Sequence, residues 1–230
     1  MQDLWDQIAA VARELALAHF EAPPVEPLVL ALHYGIPIVP SDGAALWHTD
    51  ADQPCLHYDR REFPLRARFT VAHELLEILS SQGLIDFAVP AELARQSEAL
   101  YQHGAAELLL PGPLLAAEGP AADWDLSYLQ RAFRVSWEAL GRQVLQHLEA
   151  VLTIVDNGAL YCRLNSPGLR APTLLDPVER SAVDQVYAAW PCPEPRRAAG
   201  PQFRVRAWPA WPERQGVRRV VALTQPREGD

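Results

Sequence analysis

Leu4, Ile8, Val11, Leu15 and Ala18 recur at helical spacing, which predicts an amphipathic helix over residues 3–20 that ends at Pro23-Pro24. A short helix follows over 26–34, closed by Gly35 in the manner of a C-cap. Residues 36–39 read as an edge strand because Pro37 lies inside them, 40–53 as a turn-rich loop, and 55–58 as a strand before a turn at Asp59-Arg60-Arg61. Phe69, Ala72, Leu76 and Leu79 form the apolar stripe of a helix over 66–81. Another helix runs from Pro90 to 110 and stops at Pro111-Gly112-Pro113. Residues 113–123 read as a connector, and 125–132 and 136–149 as two short helices around Phe133-Arg134-Val135. Asp156-Asn157-Gly158 between 151–155 and 159–164 is a hairpin signal. A helix over 177–190, a Pro-rich linker over 191–201 and strands over 203–208 and 217–224 complete an α+β pattern without internal repeat.

Composition narrows the chemistry. All 20 basic residues are Arg, so Schiff-base, pyridoxal-phosphate and P-loop lysine chemistry is excluded and any catalysis rests on carboxylates, His, hydroxyls, thiols or a metal. The net charge of −9 is unevenly placed: −10 over residues 1–112, −2 over 113–150 and +3 over 151–230. An acidic chain is repelled by phosphate, which speaks against direct nucleic-acid binding. Cys55, Cys162 and Cys192 form no pairable framework, no apolar run is long enough for a membrane span, and the first residues are acidic. These features point to a cytoplasmic protein.

The sharpest local signal is Arg68-Phe-Thr-Val-Ala-His73-Glu74-Leu-Leu-Glu77 on the 66–81 helix. His73 and Glu77 differ by about 40° around the helix axis, so both donors face one side and can grip one metal ion. Glu74, one step round, is placed to act as general base on a bound water, the layout of H-E-x-x-H zinc proteases with the second His replaced by Glu. Glu98 is the best third donor. His103 lies about 140° from it on the same helix and is a poor substitute, while Gly104, Ala105 and Ala106 allow close helix approach. His48 and His57 are read as strand or surface histidines, and Trp190, Trp208 and Trp211 as packing residues.

Taken in order, these motifs resemble the ImmA/IrrE metallopeptidases. The resemblance lies in Arg68–Glu74, in Glu98, in Gly104-Ala-Ala-Glu-Leu-Leu-Leu-Pro111, and in Leu129-Gln-Arg-Ala-Phe133-Arg-Val135-Ser136-Trp-Glu-Ala139. Within the family, the Glu98–Pro111 stretch is most similar to its radiation-response regulators. The resemblance implies a zincin-like metallopeptidase domain over 1–112, a small helix-turn-helix-like helical segment over 113–150 and an α/β GAF-like domain over 151–230, short enough to be truncated. It implies a cytoplasmic endopeptidase that cleaves a helix-turn-helix repressor, switching transcription in a stress or DNA-damage response. By position, His73 matches the first metal ligand, Glu74 the general base and Glu98 the third ligand, and Glu77 stands where the family has its second His. The implied cofactor is a divalent metal, zinc first and manganese second.

Glu77 adds one negative charge to the donor set, which lowers Lewis acidity and favours harder cations. Two readings follow. One is a metalloendopeptidase with an altered second ligand. The other is a degenerate, non-catalytic member acting as a regulatory protein-binding or sensor module.

Overall fold

The computed structural model describes residues 2–42, 46–50, 53–59, 61–210 and 216–227. It divides into two compact units, residues 1–121 with 129–136, and 122–128 with 137–230, so residues 113–150 are shared between them. Among the described residues no helix is long and apolar enough to cross a membrane.

The first unit begins with α1 (Gln2–His19) and α2 (Pro27–His33). Pro27 at the start of α2 needs no N–H partner, and Gly35 takes the positive φ of 67° that ends it. Strands β1 (Ile38–Ser41), β2 (Leu46–Asp50) and β3 (Gln53–Asp59) form a sheet of order β1-β3-β2, with β1 parallel and β2 antiparallel to β3. The edge position of β1 leaves room for Pro40, which cannot donate to a ladder. Then come α3 (Pro64–Ser81), a 3-10 turn at Ala91–Gln96, α4 (Ser97–Leu109) and α5 (Gly112–Ala121). Val71, Ala72, Leu75, Leu76, Ile78 and Leu79 of α3 are all buried, because α2, α4 and the sheet enclose it.

Three expectations change here. Residues 40–53 are not a loop throughout: β2 lies inside them, because Leu46-Trp-His-Thr suits a pleated surface once β3 supplies the partner. The 90–110 helix is two pieces, its first turns wound as 3-10. The 113–123 connector is the helix α5. Pro113 falls in its first turn, Leu114–Glu118 are strong helix formers, and Pro120 precedes its last residue.

Helix α6 (Leu126–Phe133) is divided between the units, and α7 (Trp137–His147) opens the continuous part of the second. Between them Arg134 takes a φ of 55°, and Gln130 Nε2 donates to Val135 O at 3.0 Å.

The second unit is built on an antiparallel sheet of order β5-β4-β8-β7-β6, from β4 (Val151–Asp156), β5 (Ala159–Asn165), β6 (Arg196–Ala199), β7 (Phe203–Ala210) and β8 (Arg219–Pro226). The β4–β5 turn has positive φ at Asn157 (49°) and Gly158 (83°), as a two-residue hairpin requires. Strand β6 lies within the expected linker, with Pro191, Pro193, Pro195 and Pro201 all outside it. Helix α8 (Pro177–Ala188) covers one face through Ala182, Val183 and Val186 against Val155, Val205, Ala207, Val220 and Ala222. Helix α7 covers the other, where a Cβ on Gly141 would fall 2.2 Å from Leu152 Cδ2. Both faces of β4 are therefore buried. Trp208 is fully buried and Trp190 stacks on Tyr187 at 6.4 Å, while Trp211 lies outside the described residues.

Tyr187 ties α8 to the sheet. Its hydroxyl lies 3.1 Å from the carbonyls of both Val155 and Arg218 and accepts from Gly158 N at 3.0 Å. Burial pushes this phenol above the usual tyrosine range, Asp156 and Asp184 add to the rise, and the Gly158 N–H opposes it. The folded state therefore prefers the neutral phenol. That contribution is complete below the unfolded tyrosine pKa of about 10 and is lost as pH rises through the higher folded value. With no lysine titrating in this range, the effect is readable. The urea midpoint of wild type should fall more steeply above about pH 10 than that of Tyr187→Phe. Parallel pH profiles for the two would refute this.

Candidate metal centre

The site is assembled within the first unit, on α3 and α4. Pro64 starts α3, and the buried Arg68 fixes its N-terminal half: Nη2 donates to Val25 O at 2.6 Å, and Glu26, itself held by Arg134 at 2.6 Å, lies 3.6 Å from Nη1. Burial lowers the Arg68 pKa and Glu26 opposes the change. Helix α4 comes close because Gly104 has no side chain. A Cβ there would lie 2.7 Å from Ile8 Cγ1 and 3.0 Å from Leu76 Cδ1, so both α1 and α3 pack directly on the α4 backbone. This close approach brings Glu98 of α4 to the face of α3 that carries His73 and Glu77.

His73 is 5% exposed, and its Nε2 faces three carboxylates. It lies 3.3 Å from Glu98 Oε2, 3.9 Å from Glu77 Oε2 and 4.0 Å from Glu74 Oε1. Exposure rises outward, from 13% for the Glu74 side chain to 36% for Glu77 and 70% for Glu98. The site is thus a buried imidazole under an acidic mouth.

Neighbouring side chains orient these groups. Gln102 Nε2 donates to Glu98 Oε1 at 2.7 Å, which leaves Oε2 turned toward His73. The Tyr101 ring meets the His73 ring edge-on at 6.1 Å, and its hydroxyl donates to Ser80 Oγ at 2.8 Å, which in turn donates to Phe87 O at 2.8 Å. Burial raises the Tyr101 pKa, the Ser80 hydrogen bond opposes this, and the Glu77 charge adds to the rise. Sequence spacing puts Tyr101 and Gln102 on the Glu98 face of α4, but their contacts required packing to be seen.

Donor types fit a divalent cation, which accepts imidazole and carboxylate together. Ligand atoms each about 2.0–2.2 Å from one tetrahedral ion are about 3.3–3.5 Å apart. The His73–Glu98 distance meets this spacing, and Glu77 and Glu74 stand about half an ångström beyond it. The arrangement is accordingly open: among the described residues no three His, Cys, Asp or Glu side chains are drawn into metal-holding geometry. His73 Nδ1 is buried without a hydrogen-bond partner. Among the described residues no acceptor meets this side of the ring, where a carboxylate or carbonyl commonly orients a ligand histidine.

His103 meets Trp5 edge-on at 5.2 Å, and His57 Nε2 lies 3.7 Å from Cys55 Sγ on β3. His48 belongs to β2, and its side chain lies outside the described residues.

Residues 33–144 match the sequence profile of a peptidase family described as the IrrE N-terminal-like domain. No curated protein matches the chain. Among solved structures, a Mycobacterium tuberculosis transcriptional regulator superposes with a TM-score of 0.61 at 16% identity, covering 98% of this chain and 88% of that one. At that identity the likeness shows a shared fold.

Proposed function

We propose, from the match of residues 33–144 to the IrrE N-terminal-like domain family, a regulatory metallopeptidase fold, that the chain is a metal-dependent endopeptidase acting on a regulatory protein. The observation that carries the reading is the convergence of Glu74, Glu77 and Glu98 on the buried Nε2 of His73. His73, Glu77 and Glu98 would hold the cation, zinc or manganese. When bound, such a cation polarises a peptide carbonyl and makes water acidic enough to be deprotonated near neutral pH. Glu74 takes the proton from the attacking water and passes it to the leaving amine. Gln102 keeps the Glu98 carboxylate turned inward, and the Tyr101 ring walls the site on its α4 side. The substrate class is a helix-turn-helix repressor and the setting a cytoplasmic stress or DNA-damage response, both carried over from the family resemblance. The five-stranded unit with a helix on each face supports a GAF-like C-terminal part.

A second reading rests on Glu77. With a carboxylate at that position and an open donor set, the fold is also suited to holding a repressor without cutting it. One experiment separates the two. The chain is titrated with Zn²⁺ and with Mn²⁺ by calorimetry beside His73→Ala, then incubated with a helix-turn-helix repressor and followed by intact-mass spectrometry. The peptidase reading expects about one equivalent of metal bound at least about tenfold more tightly by wild type, and cleavage that a chelator stops. Equal affinity in the two proteins would overturn it. A repressor captured intact, with or without chelator, establishes the second reading.

A further inference from the structure

The second unit holds a cavity that the peptidase reading does not use. It has a volume of about 380 Å³ and opens on the α8 face of the sheet, between the start of α8, the 169–172 segment and the ends of β7 and β8. Its floor is a polar network in which Arg163 Nε alone lacks a hydrogen-bond partner among the described residues. Glu179, 1% exposed, accepts from Arg163 Nη2 at 3.0 and 3.1 Å, from Thr224 Oγ1 at 2.6 Å and from Asp176 N at 2.9 Å. Arg163, whose side chain is 10% exposed, also donates from Nη1 to Thr153 Oγ1 at 2.6 Å. The two buried charges match each other, so the floor offers a ligand no net charge. It is also rigid, since α8, β4, β5 and β8 each contribute a member.

The walls differ from the floor. Val151, Leu169, Pro172 and Phe203 present apolar surface to the cavity. At the mouth stand Arg170 and Gln202, both exposed, and neither side chain has a partner among the described residues. A preformed cavity within the roughly 300–1,000 Å³ range of small-molecule sites, apolar inside with a few polar groups at its entrance, has the make-up of a ligand pocket.

We infer that this pocket binds a small organic monocarboxylate with an apolar body. The body fills the space between Leu169 and Phe203, and the carboxylate meets the Arg170 fork, with the Gln202 amide as a second donor. With the Arg163 and Glu179 charges matched and Asp176 lining the same cavity, Arg170 faces one negative charge better than two, which disfavours a phosphate dianion. The walls offer too few polar partners for a sugar, and the volume suits roughly ten to fifteen non-hydrogen atoms. Residues 151–230 carry 11 Arg against 8 acids, a field that draws an anion toward this unit.

The test uses the full chain with methyl-labelled Val and Leu, titrated by NMR with 3-phenylpropionate. Its amide, 3-phenylpropionamide, controls for charge, and propionate controls for the apolar body. Saturable shifts are expected at the Val151 and Leu169 methyls, with both controls binding at least about tenfold more weakly. Arg170→Gln, an exposed change that leaves the floor intact, should abolish the preference for acid over amide. Phe203→Ala should weaken the acid by about tenfold. Three results would each overturn the inference: no saturable shift at those methyls up to millimolar probe, equal binding of acid and amide by wild type, or an unchanged preference in Arg170→Gln.

Discussion

Glu179→Ala is expected to destabilise the five-stranded unit by about 3–5 kcal/mol, the usual cost of removing one partner of a buried ion pair. The structure explains why the effect is large. Arg163 keeps its charge in a site only 10% exposed and loses the one carboxylate it pairs with among the described residues. The Thr224 hydroxyl and the Asp176 N–H lose their acceptor together, in a place water reaches poorly. Helix α8 also loses half of its capping box, in which Asp176 accepts from Val178 N and Glu179 reaches back to the N-cap backbone. The double change Arg163→Met with Glu179→Leu should recover most of the loss, because a packed apolar pair leaves no charge stranded. Hydrogen exchange of the β4 and β8 amides reads the local stability directly. A loss below about 1 kcal/mol in the single variant would contradict the account.

For the metal centre, Glu74→Gln should reduce kcat for repressor cleavage by about 10²–10⁴-fold, the range supplied by a positioned general base. Glutamine keeps the size of the side chain and cannot take the proton from water. Its metal affinity should stay within about threefold of wild type, since Glu74 is proposed as base and not as ligand. Glu77→His acts on a different property. It removes one negative charge from the donor set, so it should shift preference from manganese toward zinc and raise the zinc-supported rate. Measuring kcat and metal affinity together separates the two roles. Equal kcat for wild type and Glu74→Gln would remove Glu74 from the mechanism.

Elements with long periodic patterns or strong end signals were legible in the chain. Helix α1 follows its apolar repeat, α2 stops at Gly35, the β4–β5 hairpin follows Asp156-Asn157-Gly158, and α8 falls within the expected 177–190 helix. The misread segments are β2, α5 and β6, of 5, 10 and 4 residues. Strands of four or five residues show too little alternation to be recognised, and they form because a neighbour offers an open ladder: β3 for β2 and β7 for β6. Helix α5 was obscured by prolines near both ends, although its interior is Leu- and Ala-rich.

The candidate site divides in the same way. His73 and Glu77 share a face by helical geometry alone, and His103, about 140° round α4 from Glu98 by the same geometry, meets Trp5. The 3.3 Å between His73 and Glu98 has another origin. It depends on Gly104 admitting Ile8 and Leu76 against the α4 backbone, a three-helix contact that spacing along one helix does not contain. The Arg163–Glu179–Thr224–Thr153 network draws on four elements, and no pattern along the chain announced it. Periodicity along a single element is a local property, set by the backbone's own rotation per residue. Distance between elements is set by which side chains are absent, small or buried where they meet, and so the acidic mouth over His73 and the cavity above Arg163 emerge at the level of packing.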